Sequence, residues 1–492
     1  MNKKKSVLFI EPAGSRVNVF DNFMRLPLLG SLYLGTILHN EGYQVRILNE
    51  NLLGREVDPF ETDADVFCIT ALTVSANRAR LLAHQIKSIH PDSMVVIGGI
   101  HASLLPEDFT DIADHVVKGE AEEIITDIIE GRYQEKIIQG PKTRDLEELP
   151  LVNYGLLEKA QNIRVVPVMT SRGCPFNCTF CTVTKVFGRK FRMQSPQRIA
   201  AEVENALAFF GSRSFFFYDD NFTADKKRVH ELCDLMIEKE LGITWVAQVR
   251  SDLAKDPELV DKMVEAGLTW VFVGFESIED ETLKAYHKSQ TRADIENAIS
   301  ILHEHNVNIH GMFMFGEDHD TVETMSNTVD FAIRNEIETV QFMILTPFPG
   351  TECYDDIVEH KRLLHRDWDY FNAMFVVFRP KNMSAVRLLN ETHRAYRKFY
   401  SLRRTLLDML FMAFNILLDA LVWNFKRADT YNLDAIFLRA GAKSLVEKHS
   451  PLYEAYLVYL KNIEKKRVQS SNGSKVQAVN AQLNSDYANA GN

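Results

Sequence analysis

Short apolar runs alternate with amphipathic stretches of helical spacing over the first 140 residues of the chain. Val66–Thr70 is one such run, and in Ala76–Ile89 the apolar residues recur at the spacing of a helix face. Strands separated by helices of this length indicate a parallel sheet covered on both faces. Further strands are predicted at 7–10, 44–48, 94–97 and 115–118, and further helices at 28–40 and 120–129. We therefore predict a doubly wound, Rossmann-like domain over residues 1–140.

A second alternation of strands and helices begins at residue 164. Its strands are predicted at 164–169, 214–218, 244–249, 270–276, 309–315 and 339–345, each followed by a helical stretch. Six successive βα units in one domain favour a partial (β/α) barrel over another open sheet. We place this domain at 164–380. The Pro-containing, charged segment 141–163 is predicted to be a linker.

The chain becomes helical in pattern beyond residue 380, and we predict a C-terminal helical domain over 381–468. Residues 405–425 are strongly apolar, and their few polar residues share one helix face. Such a helix is either buried against the barrel or lies in a membrane interface over 403–427, whereas two aspartates disfavour a full span. The tail 469–492 is rich in Asn, Ser and Gln and is predicted to be disordered.

Composition narrows the class of protein. The formal net charge of −11 argues against a nucleic-acid partner, and 46% apolar with 25% charged residues is ordinary for a soluble globular chain. The apolar run after Lys5 is too short for a signal peptide, so the six cysteines are expected to be thiols in a reducing compartment. We expect a cytoplasmic monomer or small homo-oligomer, with peripheral contact at the inner membrane face if 403–427 is interfacial.

Three of the six cysteines crowd into one loop after the first barrel strand, as Cys174, Cys178 and Cys181 in C-x3-C-x2-C spacing. A disulfide would leave one thiol unpaired, and structural zinc normally needs a fourth ligand from a second knuckle. The other cysteines, Cys68, Cys233 and Cys353, are isolated in the sequence. Three thiolates on a four-iron cluster leave one iron open for a ligand, as catalytic metals require. The spacing therefore predicts an open-iron 4Fe–4S site.

Polar and glycine residues follow the predicted strands of both domains. In the barrel they are Asp219, Asp220, Gln248, Arg250, Glu276 and Glu317, on the rim where barrel enzymes place their catalytic groups. In the first domain the loops 70–76, 98–103 and 119–120 combine glycines with hydroxyl side chains. Ligands of open parallel sheets bind at these carboxyl ends, so the loops are candidates for a nucleotide-like tail.

With Phe180 before its last cysteine, the cysteine loop resembles the signature of the radical S-adenosylmethionine enzymes. The resemblance implies a 4Fe–4S cluster whose open iron is chelated by the amino and carboxylate groups of S-adenosylmethionine. One-electron reduction then yields a 5′-deoxyadenosyl radical, which abstracts hydrogen from an unactivated carbon. It also implies an electron donor such as flavodoxin or ferredoxin.

The same resemblance assigns contacts to S-adenosylmethionine. Asp219 or Asp220, in the motif at 218–222, is expected to bind its amino group, and Arg250 is expected to bind its carboxylate. Gln248 or Glu276 is expected to contact the ribose. The remaining contacts are expected from Phe180, Gly316 and Leu345. Two alternatives stay open: the aspartate pair could be a helix N-cap, and Arg250 could belong to an ordinary ion pair.

The first domain resembles the cobalamin-binding domain that precedes the barrel in one large branch of that family, through the segments 26–35, 98–101 and 117–120. The expected cobalamin contacts are Thr70, Thr73, Ser75, Gly98, Gly99, His101, Gly119 and Glu120. The D-x-H-x-x-G motif of the mutases is absent, because Ile37 stands in place of the aspartate before His39. We therefore interpret His39 as a helix-terminal residue and not as a cobalt ligand.

These expectations favour methylation of an unactivated carbon by methylcobalamin. Phe- and Met-rich strand ends (215–217 and 312–314) and the apolar segment 405–425 favour a hydrophobic substrate, lipid-like or a secondary metabolite. The same strand ends could equally be barrel core. Two other functions stay open: radical carbon–carbon coupling, ring formation or oxidative cyclisation without methyl transfer, and a sensor that binds cobalamin or the cluster without turnover.

Overall fold

The protein is described by a computed structural model that covers residues 4–14, 26–143, 145–211, 214–401, 404 and 450–471. A parallel sheet of order β2-β1-β3-β4-β5-β6 organises the first part of the chain. Its strands are β1 (Ser6–Glu11), β2 (Gln44–Asn49), β3 (Val66–Thr70), β4 (Met94–Gly98), β5 (His115–Lys118) and β6 (Ile137–Gln139). The accompanying helices are α1 (Leu29–Asn40), α2 (Glu50–Leu53), α3 (Ala76–Ile89), α4 (Ile100–Leu104) and α5 (Ile125–Ile129).

The order of the first sheet reverses at β1, which pairs with β2 on one side and β3 on the other. This reversal is the point where doubly wound sheets bind ligands. The predicted strands are confirmed, but β6 was not anticipated, because this three-residue edge strand exposes both its ends. The predicted helix at 120–129 was wrong in its first half. It begins only at Ile125, since Gly119 has a φ of +81° and Glu120 is held by arginines of the barrel.

The second sheet is also parallel and has the order β14-β13-β12-β11-β10-β7. Its strands are β7 (Val166–Val168), β10 (Ser214–Phe217), β11 (Thr244–Val249), β12 (Leu268–Glu276), β13 (Asn308–Phe315) and β14 (Thr339–Ile344). The helices of this part are α6 (Val183–Val186), α7 (Pro196–Phe210), α8 (Lys226–Glu238), α9 (Pro257–Glu265), α10 (Asp280–Ala285), α11 (Arg292–Glu304), α12 (Val322–Arg334) and α13 (Glu352–Glu359). The strands lie side by side in chain order, and the two end strands, β7 and β14, do not pair with each other. The predicted partial (β/α) barrel is therefore confirmed.

Two short antiparallel strands, β8 (Ser171–Arg172) and β9 (Arg192–Met193), bracket the cysteine loop. The segment 141–163 before the barrel is packed rather than free. It buries Leu146, Val152 and Tyr154, and the backbone N–H of Asn153 donates to Thr36 of α1 at 3.0 Å. The predicted linker is therefore a strap that fixes the barrel to the first domain.

Helix α14 (Ala385–Phe399) covers the edge strand β14, where the Tyr400 and Tyr396 hydroxyls accept hydrogen bonds from the N–H groups of Val340 and Phe342 at 2.9 and 3.0 Å. Helix α15 (Ser450–Ser471) extends three residues into the predicted tail. The apolar segment 405–425, most of the interfacial segment 403–427 and residues 472–492 lie outside the described residues. No helix in the described ranges is long and apolar enough to cross a membrane.

Candidate active site

The cysteine loop leaves the β8–β9 ladder at Gly173, which has a φ of +86°. A Cβ atom there would lie 2.6 Å from the carbonyl oxygen of Lys190, so only glycine fits this turn. The middle of the loop is held by backbone bonds. The N–H of Thr179 donates to the carbonyl of Tyr286 at 3.2 Å, and the N–H of Cys353 donates to the carbonyl of Thr179 at 3.1 Å. The loop is therefore fixed by the barrel before any metal binds.

Cys174, Cys178 and Cys181 are half-buried on this loop. Burial raises the pKa of all three thiols, that of Cys181 to about 12, and the nearby Asp220, Cys178 and Cys174 raise the Cys181 value further. Among the described residues, no three Cys, His, Asp or Glu side chains are close enough to share a single metal ion. A cluster suits these thiols better, because each thiolate then takes a separate iron and the cationic metal removes the proton that burial retains.

Arg250 follows β11 and lies beside the loop. It is 6% exposed, its guanidinium carbon stands 3.7 Å from the ring centroid of Phe176, and its Nε has no hydrogen-bond partner among the described residues. Arg250 forms no ion pair with another described residue. The alternative that it belongs to an ordinary ion pair is therefore wrong. A buried guanidinium without an anion is unfavourable, and a ligand carboxylate would satisfy it.

The neighbours Asp219 and Asp220 have different roles. Asp219 is buried and accepts hydrogen bonds from the N–H groups of Thr170 and Ser171 at 3.0 and 2.7 Å and from both their hydroxyls, so it fixes the entry to β8. Asp220 is exposed on the barrel rim, but its crowded surroundings and then the Asp219 charge raise its pKa to about 7. Neither is a helix N-cap, because Asp225 caps α8; that alternative was wrong.

The other predicted S-adenosylmethionine contacts lie on the same rim. Glu276 has a φ of +62° and forms an ion pair with buried Lys288 at 2.8 Å, and this pair lies next to Cys178. Lys288 was not anticipated from the sequence. The remaining predicted contacts belong to the same rim. Gln248 is half-buried on β11, Phe180 packs edge-on against Tyr286, and Gly316 and Leu345 follow β13 and β14. Their contacts with a cofactor stay predictions.

In the first domain, the predicted cobalamin residues divide into two groups. Gly98, Gly99, Thr70 and Gly119 line the carboxyl ends of β3, β4 and β5. Gly99 has a φ of +97°, and a Cβ there would lie 2.7 Å from the carbonyl oxygen of Ala71. This glycine cradle brings bare backbone to the sheet edge, where a large ligand such as a corrin can approach closely.

The second group is engaged within the protein. His101 is fully buried, and its ring nitrogens contact the Thr73 hydroxyl at 3.3 Å and the Asp108 carboxylate at 3.0 Å. Asp108 also accepts a hydrogen bond from the indole of Trp368 at 2.9 Å. The Ser75 hydroxyl accepts a hydrogen bond from the N–H of Leu72 at 3.2 Å. These side chains shape the loops of the cradle, and their direct contact with cobalamin stays a prediction.

Glu120 was also predicted to contact cobalamin. Its carboxylate is buried and bound to two arginines of the cysteine-loop ladder, Arg172 at 2.8 Å and Arg192 at 2.8 and 2.5 Å. The adjacent Glu122 accepts a second bond from Arg172 at 2.6 Å. With both of its oxygens taken, Glu120 holds the first domain against the strands that carry the cluster site.

Glu11 at the end of β1 was missed by sequence reasoning. It is 2% exposed at the sheet reversal, and one oxygen accepts from Asn49 Nδ2 at 2.5 Å while Oε1 has no partner among the described residues. Burial raises its pKa to about 7. Burial raises the pKa of Tyr218 on the barrel rim, and the charges of Asp220 and Glu11 raise it further. An acidic residue directly after an apolar strand was the available signal.

His39 lies in the last turn of α1 and is exposed, which confirms its predicted helix-terminal position. That it does not ligate cobalt stays a prediction.

Comparisons with known proteins agree with this geometry. The family model described as "Radical SAM superfamily" matches residues 168–332, and the one described as "B12 binding domain" matches residues 23–129. The first range contains the cysteine loop and the second contains the glycine cradle. The two models therefore fall on the two parts of the chain that carry the candidate cofactor sites.

Characterised relatives and a solved structure span both domains. The chain is 29% identical over 370 residues to bacteriochlorophyllide d C-8(2)-methyltransferase of Chlorobaculum tepidum, covering 72% of this chain and 81% of that protein. It is 24% identical to hopanoid C-2 methylase of Rhodopseudomonas palustris, covering 77% and 73%.

The cobalamin-dependent S-adenosylmethionine radical enzyme OxsB, solved with aqua-cobalamin and S-adenosylmethionine bound, shares the fold. The TM-score is 0.65 at 13% identity, and the match covers 96% of this chain and 82% of that one. Cysteine loop, partial barrel and cobalamin-type sheet thus occur together in one chain, which belongs to the radical S-adenosylmethionine enzymes with an N-terminal cobalamin-binding domain.

Proposed function

We propose that this enzyme transfers a methyl group to an unactivated carbon of a large hydrophobic molecule. One observation supports this most directly: Glu120, directly after β5 at the ligand edge of the first domain, binds Arg172 and Arg192 of the two strands that bracket the cysteine loop. The cobalamin edge and the cysteine loop therefore adjoin each other where the two domains meet. A substrate held there would be within reach of both cofactors, as methyl transfer to a carbon radical requires.

The residues present fit both cofactors. When bound, the reduced cluster and S-adenosylmethionine supply a hydrogen-abstracting radical, and methylcobalamin supplies the methyl group. Cys174, Cys178 and Cys181 would hold the cluster, and Arg250 would pair with the S-adenosylmethionine carboxylate. Asp220 would accept a hydrogen bond from the amino group. The Gly98-Gly99 turn and Gly119 would let the sheet edge approach cobalamin closely.

The inner wall of the barrel favours an apolar substrate. Phe216 stacks on Phe272 at 5.6 Å and edge-on with Tyr218 at 5.5 Å, and Phe272 stacks on His310 at 4.8 Å. Burial lowers the pKa of His310 to about 4, so this wall stays uncharged near neutral pH. By contrast, Phe217 packs against Trp245 and Phe222, as barrel core. Part of the Phe-rich strand end is therefore structural, which was the alternative weighed from the sequence.

The names of the relatives support the same substrate class. The methyl acceptors named for them are a bacteriochlorophyllide and a hopanoid, each a polycyclic molecule with a large apolar surface. We therefore propose a polycyclic, predominantly apolar acceptor with at least one unactivated carbon that becomes methylated.

The test uses anaerobically purified protein, reconstituted with iron, sulfide and cobalamin, together with S-adenosylmethionine that carries a trideuterated methyl group. The reductant is dithionite, and an organic extract of the source cells serves as the substrate pool. We expect a new product that carries one CD₃ group, with 5′-deoxyadenosine and S-adenosylhomocysteine formed in equal amounts. The matched control is Cys174→Ala, which should form neither nucleoside product.

The outcomes separate the alternatives left open by the sequence. A product without label, accompanied by 5′-deoxyadenosine, would indicate cyclisation or coupling. Absence of 5′-deoxyadenosine from a protein that holds iron and cobalamin would indicate a sensor. Either result would contradict the methylation proposal.

A further inference from the structure

The sequence around the cysteine loop has an unusual charge distribution for an acidic chain. No Asp or Glu occurs from residue 159 to residue 201, although the whole chain has a net charge of −11. The basic residues of this stretch are Lys159, Arg164, Arg172, Lys185, Arg189, Lys190, Arg192 and Arg198. A local excess of positive charge of this size creates a field that can steer an acidic partner.

The structure separates the buried cations of this stretch from the exposed ones. Arg172 and Arg192 are neutralised by Glu120, and Arg198 pairs with Glu202 at 2.8 Å. By contrast, Lys185, Arg189 and Lys190 are exposed, as is Lys142 from the preceding strap. In the described part of the chain, no carboxylate lies within ion-pair distance of these four side chains. We call these four residues the basic surface.

The basic surface adjoins the cysteine loop directly. Arg189 donates a hydrogen bond to the carbonyl of Pro175, between the first two cysteines, at 3.4 Å. The backbone of Gly188 and Lys190 packs against Gly173, the residue before Cys174, and the Lys142 side chain lies against Gly188. Helix α6, which carries Lys185, begins two residues after Cys181. A protein docked here would thus contact the segments that flank the cluster site.

We propose that the basic surface docks an acidic one-electron carrier protein that reduces the cluster. This inference rests on the proposed function, because only a cluster that must be reduced needs such a partner. In the step, the reduced carrier loses one electron and the cluster gains it, and no bond forms or breaks. The contact between Arg189 and the Pro175 carbonyl favours this surface, since it places a docked carrier against the loop that carries the three cysteines.

The physics of such docking predicts a particular behaviour. Electron-transfer complexes bury small interfaces and are brought together largely by complementary charge. Removal of that charge slows association and weakens binding, and the effect disappears when salt screens the field. Binding that depends on these lysines should therefore weaken steeply as ionic strength rises.

The test compares the full chain with a variant that carries Lys142→Glu, Lys185→Glu and Lys190→Glu. Arg189 is left unchanged because it contacts the loop. The matched control carries Lys227→Glu, Lys461→Glu and Lys465→Glu, three exposed lysines on α8 and α15 that change the net charge equally. The probe is a bacterial flavodoxin, a small acidic flavin protein, and its Kd is measured by calorimetry at low ionic strength, with and without the cluster.

We expect the surface variant to weaken flavodoxin binding about tenfold or more and the control to change it less than about twofold. Cluster reduction by flavodoxin, followed by rapid-mixing absorption, should slow in parallel, while reduction by dithionite stays unchanged. An unchanged Kd in the surface variant, or an equal loss in the control, would overturn the proposal. Tighter binding of duplex DNA than of flavodoxin through the same lysines would also overturn it.

The two proposals fail in distinguishable ways. If dithionite produces no 5′-deoxyadenosine from the unmodified enzyme, the proposed function fails whatever the flavodoxin Kd. If dithionite supports turnover but the surface variant binds flavodoxin and is reduced by it as the unmodified enzyme is, only the proposed docking surface is wrong.

Discussion

Glu120 and Arg192 form a buried, two-bond ion pair between the cobalamin-type domain and the ladder that carries the cysteine loop, with N–O distances of 2.8 and 2.5 Å. Arg172 shares the same carboxylate, and its charge together with that of Arg192 lowers the Glu120 pKa against the effect of burial. Together with the pair of Glu122 and Arg172, this carboxylate helps to hold the two domain edges in their relative position.

Removal of this carboxylate should destabilise the protein strongly. Glu120→Gln leaves buried Arg192 without its anion and Arg172 with Glu122 alone, and breaking a buried pair in this way costs about 3–5 kcal/mol. We expect a loss of this size in chemical unfolding of the full chain. Glu123→Gln, an exposed neighbour, is the control and should change the unfolding free energy by less than about 0.5 kcal/mol. Equal stability of Glu120→Gln and the unmodified chain would contradict the assignment.

The two adjacent aspartates should respond differently to the same substitution. Asp219→Asn exchanges a fourfold acceptor for an amide and should lower the unfolding free energy by about 1–3 kcal/mol. Asp220→Asn should leave stability unchanged or higher, because a desolvated charge is removed. It should weaken S-adenosylmethionine binding about tenfold, measured by equilibrium dialysis on reconstituted protein. If Asp219→Asn alone affected binding, the roles would be reversed.

Arg250 offers a test of the unpaired guanidinium. Arg250→Lys keeps the charge but loses the planar fork that binds a carboxylate through two bonds, so we expect at least about a tenfold rise in the Kd for S-adenosylmethionine. Arg250→Met should weaken binding further while leaving the melting temperature unchanged or raised, since an uncompensated buried charge disappears. A lower melting temperature with unchanged binding would show that Arg250 is structural.

The pKa of Glu11 predicts a pH dependence of stability. Its folded value is about 7, against an ordinary value of 4.5, so the folded state holds a proton that the unfolded state has lost between these two values. Stability relative to Glu11→Gln should therefore fall as pH rises from about 4.5 to 7, by at most about 1.4 kcal/mol per pH unit, and then level off. Thermal melting of both proteins from pH 5 to 8 measures this, and parallel curves would contradict the raised pKa.

The cysteines outside the loop should not hold the cluster. Cys353 touches the loop through its backbone N–H, and Cys233 is buried on α8, where burial raises its pKa to about 12. Cys353→Ala and Cys233→Ala should therefore retain the iron content of the unmodified protein. Substitution of Cys174, Cys178 or Cys181 by Ala should abolish the visible cluster absorption. Loss of iron from Cys353→Ala would require a revised set of ligands.

The sequence alone predicted most of the strands and helices and singled out the loop with three cysteines. Strand and helix periodicity are local, so β3, β5 and α3 were predicted to the residue, and the cysteine spacing is a local property of one loop. The same reasoning could not separate Asp219 from Asp220, because both follow the same strand and only the folded chain brings Thr170 and Ser171 to one of them as hydrogen-bond donors.

Only the tertiary structure decided the long-range pairings. It joined Glu120 to Arg192, brought Lys288 to Glu276, and left Arg250 without an anion in the described part of the chain. Charges that pair across tens of residues leave no periodic trace in the sequence, because burial and the approach of a partner are consequences of the folded chain. The glycines of the cradle could be recognised from the sequence, whereas the bonds from Glu120 to Arg172 and Arg192 could not.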